Sequence, residues 1–202
     1  MNKGGFVVNR RERHKQELRQ RIVSATKDIA SEEGWQGITI RKVAERIEYS
    51  PPTIYEHFEN KEALLFELLK DGFQELYLDL AKAKEQTSGG TAQQALHAVA
   101  RAYWAFAFRE PELYAIMLGL GGVSFGTPET PEEPVRVFYL LHDLVSACLH
   151  IGTDDLDGEV DLFWSNLHGM ISLTIQGRMK GGKERAETLV EKIVERYVKA
   201  WE

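Results

Sequence analysis

Apolar residues recur at helical spacing along nearly the whole chain. Leu18, Ile22, Ala25 and Ile29 fall at i, i+4, i+7 and i+11, one stripe of a helix over 15–33, and Gly34 follows where a glycine ends such a helix. Thr39 is placed as the N-cap of a short helix whose inward face is Val43, Ala44 and Ile47. Only a few residues later, Ser50-Pro51-Pro52 opens another short helix over 51–57, because proline at the first helical position gives up an N–H that has no partner there. Ile54 and Phe58, four apart, face its interior. Asn60 caps a long helix over 61–86 with a broad apolar face from Leu64 to Leu80. Thr87-Ser88-Gly89-Gly90 is the best-marked break in the chain.

Beyond that break the pattern predicts a helix ending before Pro111, a short helix over 111–118, a loop over 119–134, and helices over 135–151, 157–179 and 183–201. The resulting fold class is all-α, with about nine helices. The expected organisation is a flexible basic arm over 1–14, a three-helix helix-turn-helix domain over 15–60, a connecting helix over 61–86 and a helical body over 87–202. Few alternating β-branched runs are present, which argues against a sandwich or barrel.

Composition narrows the class. The 202 residues are 43% hydrophobic and 28% charged, as in a folded water-soluble protein, and no apolar run reaches the length of a membrane span. The basic, polar N-terminus lacks the apolar stretch of a secretion signal, so a cytoplasmic protein is expected. A single cysteine, Cys148, excludes an internal disulfide framework, and its apolar neighbours suggest an inert buried thiol. His142 and His150 lack a third ligand at metal spacing, so no metal and no cofactor are expected. Nucleophile elbows, phosphate-binding loops and dinucleotide glycines are missing from the sequence, which speaks against an enzyme.

The net charge of −6 hides an asymmetry. Residues 1–27 hold eight Lys/Arg and two acids, whereas residues 61–202 are net −8. Such a division fits one end that meets a polyanion, or a solvated basic tail. Two short helices joined by a tight turn are the helix-turn-helix unit, whose second helix lies in the DNA major groove. With Ile54 and Phe58 turned inward, Thr53, Tyr55, Glu56 and His57 point outward, which a plain structural hairpin does not require.

The run from Thr39 to Leu65 resembles the DNA-binding segment of the TetR (tetracycline-repressor) family of bacterial transcription regulators. Thr53-Ile54-Tyr55-x-His57-Phe58 followed by Lys61-Glu62-x-Leu64 carries the likeness, which spans about residues 15–69. Trp164-x-x-x-His168-Gly169-x-x-Ser172-Leu173 resembles the C-terminal domain type of this family named for its Trp, His and Gly. One departure stands out: Glu48 occupies the turn position where the family usually has glycine. A left-handed backbone there costs a non-glycine residue on the order of 1 kcal/mol, and a carboxylate beside phosphates predicts weak or salt-sensitive DNA binding.

The resemblance implies that Thr39, Arg41, Tyr55, His57 and Lys61 touch the DNA backbone. Ser50, Pro51, Pro52 and Thr53 sit where bases are read, the prolines offering apolar contact to a thymine methyl. The recognition helix has no Arg, Asn or Gln, which shifts weight toward shape readout. Arg10, Arg11 and Arg13 are placed either to enter a minor groove or to stand as a free tail. Because one head covers only a half-site, a homodimer on a palindromic double-stranded operator is expected, with Gly169, Ser172, Leu189, Ile193, Tyr197 and Trp201 as its interface. By resemblance the body binds a small-molecule effector. The candidate lining is Trp104, Phe108, Met117, Phe125, His142, Trp164 and His168, residues that serve equally as ordinary core. The alternative function is a helical ligand-binding or scaffold protein without DNA binding.

Overall fold

A computed structural model of the chain describes residues 10–119, 127, 130–150 and 153–202. Among the described residues it comprises α1 (Arg10–Glu33), a 3-10 turn (Trp35–Gly37), α2 (Ile40–Arg46), α3 (Pro51–Tyr55), α4 (Lys61–Gln86), α5 (Ala92–Arg109), α6 (Pro111–Gly119), α7 (Glu132–Cys148), α8 (Leu156–Ile175) and α9 (Gly182–Trp201). The chain divides into two compact units, one up to Leu69 and one from Lys70 to Glu202, so the division falls inside α4.

The N-terminal unit is a small apolar core wrapped by α1, α2, α3 and the start of α4. Leu18, Ile22 and Ile29 of α1, Val43 and Ala44 of α2, and Leu64, Leu65 and Leu68 of α4 are buried, as are Ile38, Ile47, Ile54 and Phe58. Thr26, fully buried, has its hydroxyl satisfied by the Ile22 carbonyl at 2.7 Å. Helix α1 begins at Arg10, five residues before the apolar stripe predicts, so Arg10, Arg11 and Arg13 lie in its first turn rather than in a flexible arm. Arg, Glu and Lys are good helix formers, and such a turn extends a helix without adding apolar residues to its stripe.

The turn between α2 and α3 has a defined geometry. The Tyr49 N–H donates to the Ala44 carbonyl at 2.9 Å and the Glu48 N–H to Glu45 at 3.2 Å, the paired bonds of a Schellman motif. Its left-handed position is Glu48, with φ of 61°, the one non-glycine residue at positive φ among the described residues. Helix α8 ends with the same motif, Arg178 N–H to Leu173 and Gly177 N–H to Thr174, and there the left-handed residue is Gly177.

The C-terminal unit packs α5 against α7, α8 and α9, with α8 lying along both α7 and α9. A capping box starts α5: the Thr91 hydroxyl accepts from Gln94 N–H at 3.2 Å, and the Gln94 side chain accepts from Thr91 N–H at 3.0 Å. Helix α7 starts at Glu132, three residues before its expected start, because Pro134 falls in a first turn where its missing N–H costs nothing. Gly72 lets α4 and α6 approach closely, since a Cβ there would stand 2.6 Å from Met117 Sδ.

Candidate nucleic-acid interface and ligand cavity

Helix α3 is short, and its placement depends on the two side chains it buries. Ile54 is fully buried and Phe58 is 2% exposed, while Ser50, Pro51, Pro52 and Tyr55 are exposed, Tyr55 at 55%. Thr53, His57 and Lys61 are half-buried at the margins of this face, and Thr39 and Arg41 are exposed at the start of α2. The nine residues expected at DNA therefore all reach the surface. Several already have partners. Thr39 caps α2 by accepting from Lys42 N–H at 3.2 Å, the Ser50 and Thr53 hydroxyls lie 3.1 Å apart, and Arg41 Nε donates to Glu45 at 2.7 Å.

Sequence reasoning missed how α1 holds this face in place. The Arg19 guanidinium stacks 4.1 Å over the Phe58 ring, donates to the His57 carbonyl at 2.9 Å and pairs with Glu67 at 2.9 Å. Arg21 donates to the Ile47 carbonyl at 3.2 Å and lies 5.5 Å from the Tyr49 ring centroid. One arginine thus closes the carbonyl end of α3 and the other that of α2, where cations are favoured. Arg46 is bidentate to Glu32 at 3.0 and 2.6 Å, and Lys42 pairs with Glu33. Part of the basic character of the N-terminus is therefore structural. Burial, then Lys15 and Arg19, hold the His57 imidazole below its ordinary pKa.

The C-terminal unit contains a cavity of about 440 Å³ bounded by α4, α7 and α8. Its wall includes Phe73, Phe138, Val160 and Trp164, with Asp157, Asp161 and Tyr139 also lining it. Of the expected effector residues, Trp164 lines this space. His142 sits beside it, its Nε2 3.7 Å from Asp157 Oδ1 and its ring 6.0 Å from Phe138. His168 stands behind Trp164 in a hydrogen-bonded series: Trp164 Nε1 donates to Tyr103 Oη at 2.9 Å, the Tyr103 and Tyr114 hydroxyls are 3.3 Å apart, and Tyr114 Oη is 2.8 Å from His168 Nδ1. Burial pushes Tyr103 up to about 12 and lowers the His168 pKa.

Three expected positions fall elsewhere. Met117, 1% exposed, packs under Gly72, and Trp104, 3% exposed, stacks on Phe108 with ring centroids 4.4 Å apart and Lys183 Nζ 4.4 Å from the Phe108 centroid. Met117 and Trp104 are core positions and Phe108 is half-buried beside them; among the described residues the cavity wall includes none of the three. Phe125 lies outside the described residues. A wider, open groove of about 730 Å³, lined by Tyr77, the 87–90 turn and Asp143 among others, carried no sequence signal because it forms where α7 passes a helix junction.

On α8 and α9, Gly169, Ser172, Leu189, Ile193 and Tyr197 are half-buried, and nothing lies within 4 Å of where a Cβ at Gly169 would be. Leu162, Leu173 and Ile175 are exposed at 56%, 43% and 39%. Trp201 departs from the expectation: it is 2% exposed, packs on Phe163 and Tyr197, and donates to Glu159 at 2.8 Å, so its indole belongs to the protein's own core. Cys148 is buried and its thiol is pushed up to about 11. Among the described residues no group of three or more His, Cys, Asp or Glu is placed to hold a metal, and no helix is long and apolar enough to cross a membrane.

A helix-turn-helix unit that turns the start of its second helix to solvent, in a chain whose other unit is helical and holds an apolar cavity, is an arrangement found among DNA-binding transcription regulators. Residues 22–68 match the model for bacterial regulatory proteins of the tetR family, and residues 96–197 match the tetracyclin repressor-like C-terminal domain. The chain belongs to the TetR family, whose members are regulators and not enzymes. It is 30% identical over 97 residues to the HTH-type transcriptional regulator YobS of Bacillus subtilis, covering 48% of this chain and 49% of that one. It is 36% identical over 81 residues to the HTH-type transcriptional repressor KstR of Mycolicibacterium smegmatis, covering 40% and 39%. The chain thus matches about half, or less, of the length of these relatives. A solved structure of a protein of unknown function from Rhodococcus sp. RHA1 shares the fold, with a TM-score of 0.77, 22% identity and coverage of 98% of this chain and 99% of that one.

Proposed function

We propose that the protein is a cytoplasmic repressor that binds a palindromic operator as a homodimer and releases it when a small apolar or aromatic effector enters the cavity between α7 and α8. The observation that carries this reading is the exposure of Pro51, Pro52 and Tyr55 on a helix anchored by Ile54 and Phe58. Exposed prolines at the start of α3 and an exposed tyrosine at its end have no role in the protein's own core, and they suit apolar and phosphate contacts in a major groove. The apolar residues exposed on α8, together with the open space over Gly169, support a second copy packing there. Glycine within a helix costs about 1 kcal/mol relative to alanine, and close approach of a partner helix offsets that.

Release follows from α4, which contributes Phe73 to the cavity and Leu64, Leu65 and Leu68 to the core of the N-terminal unit. An effector that prefers a shifted α4 lowers the population of dimers whose heads match the operator spacing. The test is electrophoretic titration of duplexes that carry or lack a palindrome, at several salt concentrations. The regulator gives palindrome-dependent binding that falls by about 10³ between 50 and 200 mM salt, if six or so phosphates are neutralised. A scaffold protein gives neither, and that outcome rejects the proposal.

A further inference from the structure

We infer that the effector is a lipophilic organic cation, an apolar aromatic body bearing a quaternary or protonated amine; this rests on the reading of the α7–α8 cavity as the effector site. Three observations combine. The walls are largely apolar and aromatic, with Phe73, Val160, Phe138 and Trp164, Asp157 and Asp161 stand at exposed positions of the lining, and about 440 Å³ lies within the range of small-molecule sites. Asp157 and Asp161, one turn apart on α8, both line the space, and among the described lining residues there is no Lys or Arg. Tyr139, 58% exposed, lines it as well, so two carboxylates and the aromatic faces lie around one cavity.

Each class of ligand meets these walls differently. Aromatic faces carry negative quadrupole charge and attract a cation, most strongly where water is excluded. A carboxylate or phosphate ligand would face two like charges without a compensating cation from the described lining. A neutral apolar ligand gains the walls but makes no use of the aspartates. Only a cation joined to an apolar body is favoured by both halves of the lining.

The test is calorimetric titration with three matched probes: (1-naphthylmethyl)trimethylammonium, 1-naphthalenemethanol and 1-naphthoate. The cation is expected to bind at least about tenfold more tightly than the alcohol, with naphthoate weakest, and its advantage shrinks as salt is raised. Asp157→Asn with Asp161→Asn, substitutions at exposed positions, reduces the cation's advantage to about threefold or less, with melting curves to show that the variant is folded. If the alcohol or naphthoate binds as tightly as the cation, or if the double variant keeps the full preference, the cation assignment is overturned and the cavity survives as a ligand site. If none of the three binds at millimolar concentration, the effector site itself is rejected together with the assignment.

Discussion

Tyr114 Oη lies 2.8 Å from His168 Nδ1, the last contact of a buried hydrogen-bond series. The Trp164 indole can only donate, so Tyr103 accepts from it. The arrangement that also gives the buried Tyr103 proton an acceptor has Tyr103 donating to Tyr114 and Tyr114 donating to Nδ1 of a neutral His168. Protonating His168 makes Nδ1 a donor and reverses the tyrosines. The Tyr103 proton, fully buried, is then left without an acceptor in this series.

Stability of the C-terminal unit should therefore depend on this imidazole. Its folded pKa is lowered, so above the unfolded value of about 6.5 the group is neutral in both states and its effect is nil. As pH falls below that value the unfolded state takes up the proton first, and stability declines until the folded pKa is passed. His168→Asn keeps an acceptor near the Nδ1 position and should flatten this decline. Urea unfolding between pH 5 and 7.5 reads it; an equally steep decline in the variant would reject the assignment.

Removing the middle of the series should be costly at any pH. Tyr103→Phe leaves the Trp164 N–H without its acceptor and Tyr114 without its donor, and should destabilise the unit by about 1–3 kcal/mol. The urea midpoint reports the loss, and an unchanged midpoint would show that water replaces the hydroxyl.

At the α2–α3 turn, backbone strain and charge can be separated. Glu48→Gly relieves the positive φ and should stabilise the N-terminal unit by about 1 kcal/mol, whereas Glu48→Gln keeps the strain and removes only the carboxylate. Both should tighten operator binding if the charge repels phosphates. Tightening by Gly alone assigns the effect to the turn, and tightening by neither removes Glu48 from the account of affinity.

Arg19 should not tolerate a charge-conserving replacement. Lysine keeps the ion pair with Glu67 but loses the planar stack on Phe58 and the fixed bond to the His57 carbonyl, so Arg19→Lys should cost about 1 kcal/mol and weaken DNA binding with it. Thermal unfolding and the mobility assay together check this. A stable variant with intact binding would mean that Ile54 and Phe58 alone position α3.

If a second copy covers α8, a charge on its exposed stripe should prevent that. Leu173→Glu, at a position 43% exposed, should leave the monomer folded, shift sedimentation from dimer to monomer and abolish palindrome-dependent binding. A variant that remains dimeric would move the interface elsewhere.

Local rules carried the N-terminal unit. The Thr39 cap, the proline start at Pro51, the inward pair Ile54 and Phe58, and the Asn60 cap that accepts from Ala63 N–H at 2.8 Å all follow from residue chemistry within a few positions, whereas the left-handed position of Glu48 is legible only through the family likeness. What stayed hidden depends on contacts between distant segments. Arg19 and Arg21 count only toward the basic charge of residues 1–27 until α1 is laid beside α2 and α3. Met117 and Trp104 read as pocket lining by composition, yet Gly72 and Phe108 take them into the core. Trp201 extends the apolar face of α9, but which neighbour covers that face is set by Phe163 and Glu159, roughly forty residues away. The start of α1 was missed because a charged first turn has no apolar period to read.

The four tryptophans are unequally placed. Trp104 and Trp201 are sealed in the core, Trp35 is half-buried in the N-terminal unit, and Trp164, also half-buried, borders the cavity with its N–H held by Tyr103. Trp164 is the one tryptophan among the described lining residues, so filling the cavity should change its intrinsic fluorescence in colour or brightness while the buried Trp104 and Trp201 stay shielded from added quenchers. Occupancy can thus be followed in the unlabelled protein, independently of whether DNA is present.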